Sequence, residues 1–254
     1  MKIIIIRHGD PDYVHDSLTP RGDKEARLLA EIIGSYNIDA FYVSPLGRAQ
    51  RTASFSLEKL GANAETLDWL REFPPRINRP DLRGSLSSCA WDWRPTDWTK
   101  VPEFYDRDLW YTHPIMEEAH VKEAAIRVHE GLDSLLANHG YERDGLYYRA
   151  VRPNHDTIAL VCHFGVEMVI LAHLIGVSPM PLWHGFVASP TAITRISTEE
   201  RVSGIASFRV NEFGATPHLL LGGMEPSMRA RYIECYGDPT DNGFEAEKAP
   251  DQES

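Results

Sequence analysis

The chain has few cysteines, and their spacing argues against a domain stabilised by disulfides or by a structural zinc ion. Its 254 residues include only three cysteines, Cys89, Cys162 and Cys235, which are far apart and form no CxxC or Cys/His pattern. An odd and scattered set of thiols indicates neither a disulfide framework nor a structural zinc site. We therefore expect a protein of a reducing compartment that holds no structural zinc.

Basic residues are scarce relative to acidic ones. The 37 Asp and Glu residues outnumber the 26 Lys and Arg residues, which gives a formal net charge of -11. A broad nucleic-acid footprint needs clustered Lys and Arg, so this balance excludes that class of partner. It leaves room for a small anionic substrate, because a few arginines in a pocket determine the local field there.

Long apolar runs are missing as well. No segment approaches the ~20 apolar residues that a membrane-spanning helix needs, and the apolar run 3–6 is ended at once by Arg7 and His8. That run is too short for the apolar region of a signal peptide. We expect a cytoplasmic protein without a membrane partner. Hydrophobic residues still make up 43% of the chain, enough for the core of one large domain.

Short β-branched runs alternate with amphipathic helical patterns along most of the chain. The runs that predict strands cover residues 2–6, 39–43, 64–68, 157–162, 191–197 and 204–210. Thr19-Pro20 and Ser44-Pro45 are typical helix starts, with a capping hydroxyl followed by proline at the first helical position. Further helical patterns cover 117–139 and 165–175. The alternation predicts an α/β fold, with helices on both faces of a sheet.

Residues 73–116 interrupt this alternation. The segment holds six prolines and four of the six tryptophans of the chain. So many rings have to be buried against something, and we therefore expect an inserted Pro/Trp-rich cap rather than a linker. Two interpretations of the insertion stay open, a packed mini-core and a lid over the substrate.

The C-terminal segment loses all periodicity. We expect one catalytic domain over residues 1–224, which contains the insertion at 73–116, followed by a C-terminal extension over 225–254. The last residues are polar and acidic, which is typical of a partly disordered tail.

Chemistry-bearing residues stand where the predicted strands end. The first strand ends in Arg7-His8-Gly9, the second runs into SPLGR with Arg48, and the strand at 157–162 ends in His163. In open α/β sheets, ligands bind in the crevice beyond the carboxyl ends of the strands. We therefore expect two arginines and two histidines to converge at one edge of the sheet.

These residue types match the needs of phosphoryl transfer, which are charge neutralisation, an in-line nucleophile and an acid for the leaving oxygen. The planar forks of Arg7 and Arg48 can each donate two parallel hydrogen bonds to a phosphate. One ring nitrogen of His8 can attack phosphorus while a backbone acceptor holds the other. Gly9 lets the backbone approach the phosphate, and His163 is a further donor to its oxygens.

Four segments together resemble the histidine phosphatase superfamily, also called phosphoglycerate-mutase-like. They are IIIIRHGDPD, LTPRGDKEARLLA, SPLGRAQRTA and VCHFGV, in the family's order and spacing. The resemblance implies a three-layer αβα sandwich with a largely parallel central sheet. It also implies that Arg7, Arg48 and His163 bind the phosphoryl group, that His8 becomes phosphorylated and that no cofactor is needed.

The resemblance also bears on the choice between rival residues. Its second motif favours Arg48 over Arg51 for the phosphate contact. The segment LREF is similar to the one that carries the family's proton donor, which would be Glu72 here; this acid would protonate the leaving group and then activate water. Asp10, just past the Arg-His-Gly triplet, is a second candidate for the acid. The chain departs from the family where Phe164 precedes the glycine that normally follows the second histidine.

The sequence predicts a phosphomonoester phosphatase that works through a phosphohistidine on His8, with a small phosphorylated substrate and no metal or organic cofactor. Paired Asp/His/Asn clusters with ligand spacing are missing, which argues against a dinuclear metallophosphatase. The first alternative is a phosphoglycerate-mutase-type phosphotransferase, which returns the phosphate to a bound hydroxyacid instead of to water. The second is a non-catalytic module that binds a phosphorylated ligand.

Overall fold

The computed structural model describes residues 1–79, 87–229 and 231–238. Its strands, in chain order, are β1 Lys2–Arg7, β2 Pro11–Asp12, β3 Ser17–Leu18, β4 Ala40–Val43, β5 Ala64–Thr66, β6 Arg76–Asn78, β7 Ser87–Cys89, β8 Tyr141–Asp144, β9 Tyr147–Ala150, β10 Thr157–Cys162, β11 Ile193–Val202 and β12 Ile205–Ala215. Its helices are α1 Pro20–Ile33, α2 Gly47–Leu60, α3 Pro95–Trp98, α4 Pro114–Glu118, α5 Val121–Asn138, α6 Phe164–Ile175, α7 Pro179–Gly185 and α8 Pro217–Leu221. No helix in this part of the chain is long and apolar enough to cross a membrane.

A mixed sheet forms the centre of the molecule. Within the described residues, eight strands are hydrogen-bonded in the order β5-β4-β10-β1-β11-β12-β9-β8. The strands from β5 to β1 are parallel to one another, and the remaining four extend the sheet by antiparallel pairing. β1 lies in the middle with both faces covered, which is why its sequence is a run of isoleucines rather than an alternating pattern.

Two hydrophobic cores cover the two faces of this sheet. Successive residues of a strand point to opposite faces, and Ile3 and Ile5 belong to the core that includes α5, α6 and α7. Ile4 and Ile6 belong to the core formed with α1 and α2. Helices therefore pack on both sides, and the predicted three-layer αβα sandwich is confirmed.

The pairing of β1 with β10 positions the candidate residues. Its register aligns Arg7 with Cys162, so the next residues, His8 and His163, leave two parallel strands side by side. β4 lies on the other side of β10, and the Ser44 amide just past its end donates to a β10 carbonyl at 2.9 Å. Three strand ends therefore meet at one edge of the sheet.

The two predicted helix starts have different outcomes. The first is confirmed, because Thr19 Oγ1 accepts the Gly22 amide at the N-cap of α1. The second is wrong, because α2 begins at Gly47 with Leu46 as its N-cap rather than directly after Ser44. Ser44 instead continues the pairing of β4 with β10, and its hydroxyl contacts a histidine of the site described below.

Two further elements differ from the expectation. The helix predicted over 117–139 is two helices, α4 and α5, which are separated at Ala119 and His120. The backbone of His120 has a φ of 55°, in the left-handed region, and this ends the helical path. The hairpin formed by β8 and β9 was not predicted, because its strands are short and lie at the edge of the sheet.

The Pro/Trp-rich insertion is packed into the molecule. In its described part, β6 pairs with β7, and the side chains of Phe73, Trp93, Phe104 and Trp110 are buried in the core that includes α5 and α6. Phe73 and Trp110 also contact Trp183 of α7, with ring centroids 5.5 and 5.4 Å apart. These contacts make the insertion an integral part of the fold, as its aromatic content indicated.

After α8 the chain returns to the edge of the sheet at which the ends of β1, β4 and β10 meet. This segment, residues 224–229 and 231–238, is called the C-terminal arm. Ser227 Oγ donates to Asp10 Oδ1 at 2.5 Å, and the Tyr232 hydroxyl donates to Asp92 Oδ1 at 3.1 Å. The arm therefore joins the loop after β1 to the insertion. The tail expected to be disordered includes residues 239–254, which lie outside the described residues.

Candidate active site

The centre of the site is a pair of buried histidines. The ring centroids of His8 and His163 are 5.0 Å apart, with an interplanar angle of 57°. His8 Nδ1 lies 2.7 Å from the Gly9 carbonyl oxygen. A carbonyl can only accept, so Nδ1 carries the proton of the neutral ring and Nε2 keeps its lone pair. Burial, and next the charge of Arg7, lower the pKa of His8 well below its ordinary value, so the ring is neutral and nucleophilic at physiological pH.

A buried serine holds the second histidine. His163 Nε2 lies 2.7 Å from Ser44 Oγ, and both side chains are fully buried. The Leu46 amide already donates to Ser44 Oγ at 3.2 Å, which leaves the hydroxyl proton for Nε2. This arrangement favours the tautomer that carries its proton on Nδ1. Burial, followed by the influence of His8, lowers the pKa of His163 well below its ordinary value, so this ring too is neutral.

Arg7 is the first of two arginines at the site. Its side chain is buried, and Nη1 donates to the Ala188 carbonyl oxygen at 2.5 Å. Its guanidinium carbon lies 5.9 Å from the ring centroid of Phe164. The carbonyl and the ring fix the orientation of the guanidinium, while Nε is buried without a hydrogen-bond partner in the described part of the chain.

Arg48, in the first turn of α2, is the second arginine. Its Nη1 donates to Asp16 Oδ1 at 2.6 Å, and the other carboxylate oxygen of Asp16 accepts the Gly47 amide at 2.7 Å. The charge of Arg48 contributes to the lowered pKa of both histidines, which places it near them. Arg51, the rival, lies at the surface in a bidentate pair with Asp23 at 3.0 and 2.8 Å. The geometry therefore favours Arg48.

Three donor atoms of the site share one property. Arg7 Nε, Arg48 Nε and His163 Nδ1 are buried, and none of them has a hydrogen-bond partner among residues 1–79, 87–229 and 231–238. Burial of a donor without an acceptor is costly, and a bound ligand is one of the partners that can offset this cost. Besides burial, the charges of both arginines lower the pKa of each histidine, so the three donors belong to one cluster around the ring pair.

Glu72 lies beside these groups, as the sequence predicted. Its Oε1 accepts the amides of Phe73 at 2.9 Å and Val166 at 3.2 Å, the latter in the first turn of α6. Desolvation raises the pKa of the Glu72 carboxyl above its ordinary value, although these amides act in the other direction. A Cβ on Gly165 would lie 2.7 Å from Glu72 Oε1, so only glycine allows this approach.

Asp10, the other candidate acid, is engaged elsewhere. Its Oδ2 accepts from Thr19 Oγ1 at 2.8 Å, and its Oδ1 accepts from Ser227 Oγ at 2.5 Å. Both oxygens thus tie the loop after β1 to α1 and to the C-terminal arm. Its partners suit a structural role, which leaves Glu72 as the better placed acid.

Gly9 has a packing role in this structure. Its amide donates to Thr52 Oγ1 at 2.9 Å, and a Cβ at this position would lie 2.9 Å from the Gly22 carbonyl oxygen. The glycine therefore lets the loop after β1 pack against α1. Because its amide is already used, the predicted backbone contact between Gly9 and a phosphate has no support in the geometry.

Two polar residues of the site were missed by the sequence reasoning. Asp16 holds Arg48 from a distant loop, and Ser44 holds His163 from another strand. Ser44 stands in a segment that carries a motif, so the motif was a usable signal. Nothing local to Asp16 distinguishes it from an ordinary turn residue.

A cavity of about 790 Å³ is lined by Arg7 and Phe164, the sequence neighbours of His8 and His163, while the two histidines themselves are buried behind its wall. Arg7, Glu72 and Phe164 contribute to its wall, together with side chains of the insertion, of α7 and of the C-terminal arm. A ligand in it would contact the proposed acid and the first arginine. Among the described residues, no group of three or more His, Cys, Asp or Glu side chains is arranged to hold a metal ion.

Comparison with known proteins identifies the family. The family model described as histidine phosphatase superfamily (branch 1) matches residues 3–211. This chain belongs to the histidine phosphatase superfamily. It is therefore a phosphatase or a phosphoglycerate-mutase-like enzyme, the two activities that its relatives represent.

The chain has relatives of both kinds. Phosphoserine phosphatase 1 of Hydrogenobacter thermophilus is 27% identical over 223 residues, which cover 83% of this chain and 92% of that protein. A probable phosphoglycerate mutase of Serratia proteamaculans is 27% identical over 154 residues, which cover 55% of this chain and 70% of that protein.

Solved structures share the fold of this chain. A mutant phosphoserine phosphatase of Entamoeba histolytica in complex with phosphoserine has a TM-score of 0.57 and 19% identity, covering 86% of this chain and 98% of that one. A mycobacterial glucosyl-3-phosphoglycerate phosphatase in complex with VO3 has a TM-score of 0.55 and 20% identity, covering 84% and 98%. At such identities the likeness concerns the fold.

Proposed function

We propose that this chain is a phosphomonoester phosphatase that forms a phosphohistidine on His8. The observation that carries the proposal is the donor set: two neutral histidines 5.0 Å apart, with two arginines whose Nε atoms are buried and without a partner in the described residues. Arg7, Arg48 and His163 would hold the phosphoryl group. Donors fixed in advance around a developing charge are usually the largest catalytic contribution.

The first step transfers the phosphoryl group to His8. Nε2 attacks phosphorus while the bond from phosphorus to the ester oxygen breaks. Glu72 gives its proton to the departing alkoxide, which leaves as the alcohol. The Gly9 carbonyl keeps the proton of the ring on Nδ1 and so directs the lone pair of Nε2 to the substrate.

The second step hydrolyses the phosphoenzyme. Glu72, now a carboxylate, takes a proton from water, and the hydroxide oxygen forms a bond to phosphorus as the bond from phosphorus to Nε2 breaks. Inorganic phosphate leaves, and both Glu72 and His8 return to their starting protonation states. No step in this scheme requires a metal or an organic cofactor.

The directions of the pKa shifts suit this scheme. The lowered pKa of His8 keeps the nucleophile neutral into the acidic range, and the raised pKa of Glu72 keeps the acid protonated above its ordinary value of 4.5. The first step should therefore have a plateau bounded by protonation of His8 at low pH and by ionisation of Glu72 at higher pH.

The proposal extends to the organisation and setting of the chain. Residues 1–224 would form the catalytic domain, the insertion at 73–116 would be its cap, and residues 225–254 would be an extension that begins with the C-terminal arm. The substrate would be a small phosphorylated molecule in the cytoplasm. Because one relative is named phosphoserine phosphatase, phosphoserine is the first natural compound to assay.

A panel of phosphomonoesters tests the proposal. Release of inorganic phosphate from p-nitrophenyl phosphate, phosphoserine and 3-phosphoglycerate is measured with and without EDTA for the wild type and His8→Ala. The matched control is His155→Ala, because His155 is an exposed histidine outside the site. We expect turnover that resists EDTA, disappears in His8→Ala and persists in His155→Ala.

Other results would support the alternatives. Isomerisation of 3-phosphoglycerate without release of phosphate would identify a mutase. Binding of phosphorylated ligands without turnover of any compound, unchanged in His8→Ala, would identify a binding module. Turnover that EDTA abolishes would contradict the metal-independent scheme.

A further inference from the structure

Half of the described residues that line the cavity at Arg7 and Glu72 carry aromatic rings. They come from segments far apart in sequence: the insertion, the start of α6, α7 with the residues after it, the loop after β1, and the C-terminal arm. The aromatic side chains that line the cavity are Tyr13, Trp91, Trp93, Trp98, Phe164, Trp183, His184, Phe186 and Tyr232.

Contacts with neighbouring rings and with the backbone hold several of these aromatic side chains in fixed positions. Trp91 lies against Trp183, with centroids 5.9 Å apart, and Trp183 Nε1 donates to the Gly165 carbonyl oxygen at 3.0 Å. Trp98 is stacked on His184, with centroids 4.7 Å apart and an interplanar angle of 21°. Trp91 and Trp98 are both partly exposed, so each presents part of a ring to the cavity.

The aromatic wall begins at the acid itself. A Cβ built on Gly165 would lie 2.7 Å from Glu72 Oε1 and 2.6 Å from the Trp91 ring. The carboxyl group and the indole therefore approach the same point of the backbone. Since Glu72 is proposed to protonate the leaving oxygen, the atoms attached to that oxygen would meet Trp91 first.

The charges along the rest of the wall balance. Apart from Arg7 and Glu72, the charged side chains that line the cavity within the described residues are Asp92, Arg229, Arg231 and Glu234. Two are acidic and two are basic. Arg231 lies 3.8 Å from Glu234, and Arg229 lies 3.9 Å from Asp10, so each guanidinium has a carboxylate beside it. The described residues of this wall therefore offer no excess positive charge to a second anionic group of the substrate.

The size of the cavity also favours a leaving group larger than a three-carbon acid. Its volume of about 790 Å³ lies in the range of sites that bury drug-sized ligands. A phosphorylated three-carbon acid would leave most of this space unfilled and its carboxylate unpaired against indole rings. An aromatic leaving group would occupy more of the space and lie against the preformed rings.

We propose that the substrate is a phosphomonoester of an alcohol that carries an aromatic ring and no carboxylate, with the ring lying against Trp91 and Trp98. This inference rests on the proposed function, because it assumes that Glu72 faces the leaving oxygen. It adds the class of leaving group, which the phosphoryl-binding residues leave undetermined.

Two substrates of equal intrinsic reactivity test the inference. Both 2-phenylethyl phosphate and 3-phosphoglycerate release a primary alcohol, so their ratio of kcat/KM reports on recognition rather than on the leaving group. We expect the wild type to favour 2-phenylethyl phosphate by about tenfold or more, which corresponds to a few ring contacts.

The variants locate the preference in the aromatic wall. Trp91→Ala and Trp98→Ala should each lower this ratio by about fivefold to tenfold, whereas Trp91→Phe should retain most of it. Tyr147→Ala is the control, because Tyr147 is an exposed ring on β9 that does not line the cavity. Its ratio should equal that of the wild type. Circular dichroism checks that each variant is folded.

The possible failures are distinguishable. A ratio near one or in favour of 3-phosphoglycerate, with turnover that still depends on His8, overturns the class of leaving group and leaves the phosphatase intact. A preference that survives in folded Trp91→Ala and Trp98→Ala also overturns it. Absence of turnover with every compound, p-nitrophenyl phosphate included, overturns the proposed function itself.

Discussion

Removal of the Ser44 hydroxyl tests whether Ser44 fixes the tautomer of His163. Ser44 Oγ and His163 Nε2 are 2.7 Å apart, and both side chains are fully buried. In Ser44→Ala the ring nitrogen loses its partner where water cannot replace it, so the free energy of unfolding should fall by about 1–3 kcal/mol. The neutral ring is also freed to carry its proton on either nitrogen. In the Nε2 tautomer, Nδ1 becomes an acceptor that repels the phosphoryl oxygens.

The kinetic effect of this change follows from the lost donor. Removal of a whole donor from such a site lowers kcat by about 10²–10³-fold, and a partial loss through the wrong tautomer should lower it by about 10–100-fold. Steady-state kinetics with p-nitrophenyl phosphate measure kcat and KM, and urea titration measures stability. Ser44→Thr, which keeps the hydroxyl, should restore part of kcat.

A second buried serine supplies the control. Ser56 of α2 is buried, and its hydroxyl has no hydrogen-bond partner among the described residues, so Ser56→Ala should leave kcat unchanged and should not lower the free energy of unfolding. The reasoning is refuted if Ser44→Ala keeps the kcat of the wild type while it is folded. It is also refuted if Ser44→Ala and Ser56→Ala lower kcat equally.

Three further changes have defined outcomes. Arg48→Ala should lower kcat/KM by about 10³-fold, and Arg51→Ala, which removes only an exposed ion pair, should lower it by less than about threefold; equal losses would contradict this assignment. Gly165→Ala should lower kcat by about 10²-fold, because its Cβ would displace the Glu72 carboxylate; an active Gly165→Ala would argue against that acid. Burial raises the pKa of Glu167 to about 7 from its ordinary value of 4.5, so the folded state retains a proton that the unfolded state releases. The stability of the wild type relative to Glu167→Gln should therefore fall between pH 4.5 and 7, by up to about 3 kcal/mol, and urea titrations that show no such difference would contradict it.

The sequence predicted the chemical groups of the site better than the contacts that hold them. Arg7, His8 and His163 could be found because strand ends are local features and parallel strands share an edge. The register that aligns β1 with β10 then decides that the two rings meet. That register depends on the burial of both strands in two cores, which strand periodicity alone does not specify.

The supporting roles of Asp16 and Ser44 depend on long-range packing and could not be predicted from the local sequence. Asp16 contacts Arg48 only because the loop between β2 and β3 folds over the start of α2. Ser44 looked like a helix cap, because a serine before a proline has that role in most local contexts. Its contact with His163 can be predicted only when β4 and β10 are known to be neighbours. The order of the strands in the sheet provides this information.

The C-terminal arm is a further example. The loss of periodicity after α8 indicated a partly disordered extension, yet Ser227 contacts Asp10, and Tyr232 contacts Asp92 in the wall of the cavity. Single hydrogen bonds of this kind leave no repeating pattern in the sequence.

The most direct measurement of the central claim is capture of the phosphoenzyme. The protein is mixed with a radiolabelled phosphomonoester, quenched within the first turnover and digested, and the labelled peptide is identified. We predict an acid-labile, base-stable label on the peptide that contains His8, which is absent from His8→Ala and present in His155→Ala. A label on another residue, or full turnover by His8→Ala, would contradict the account.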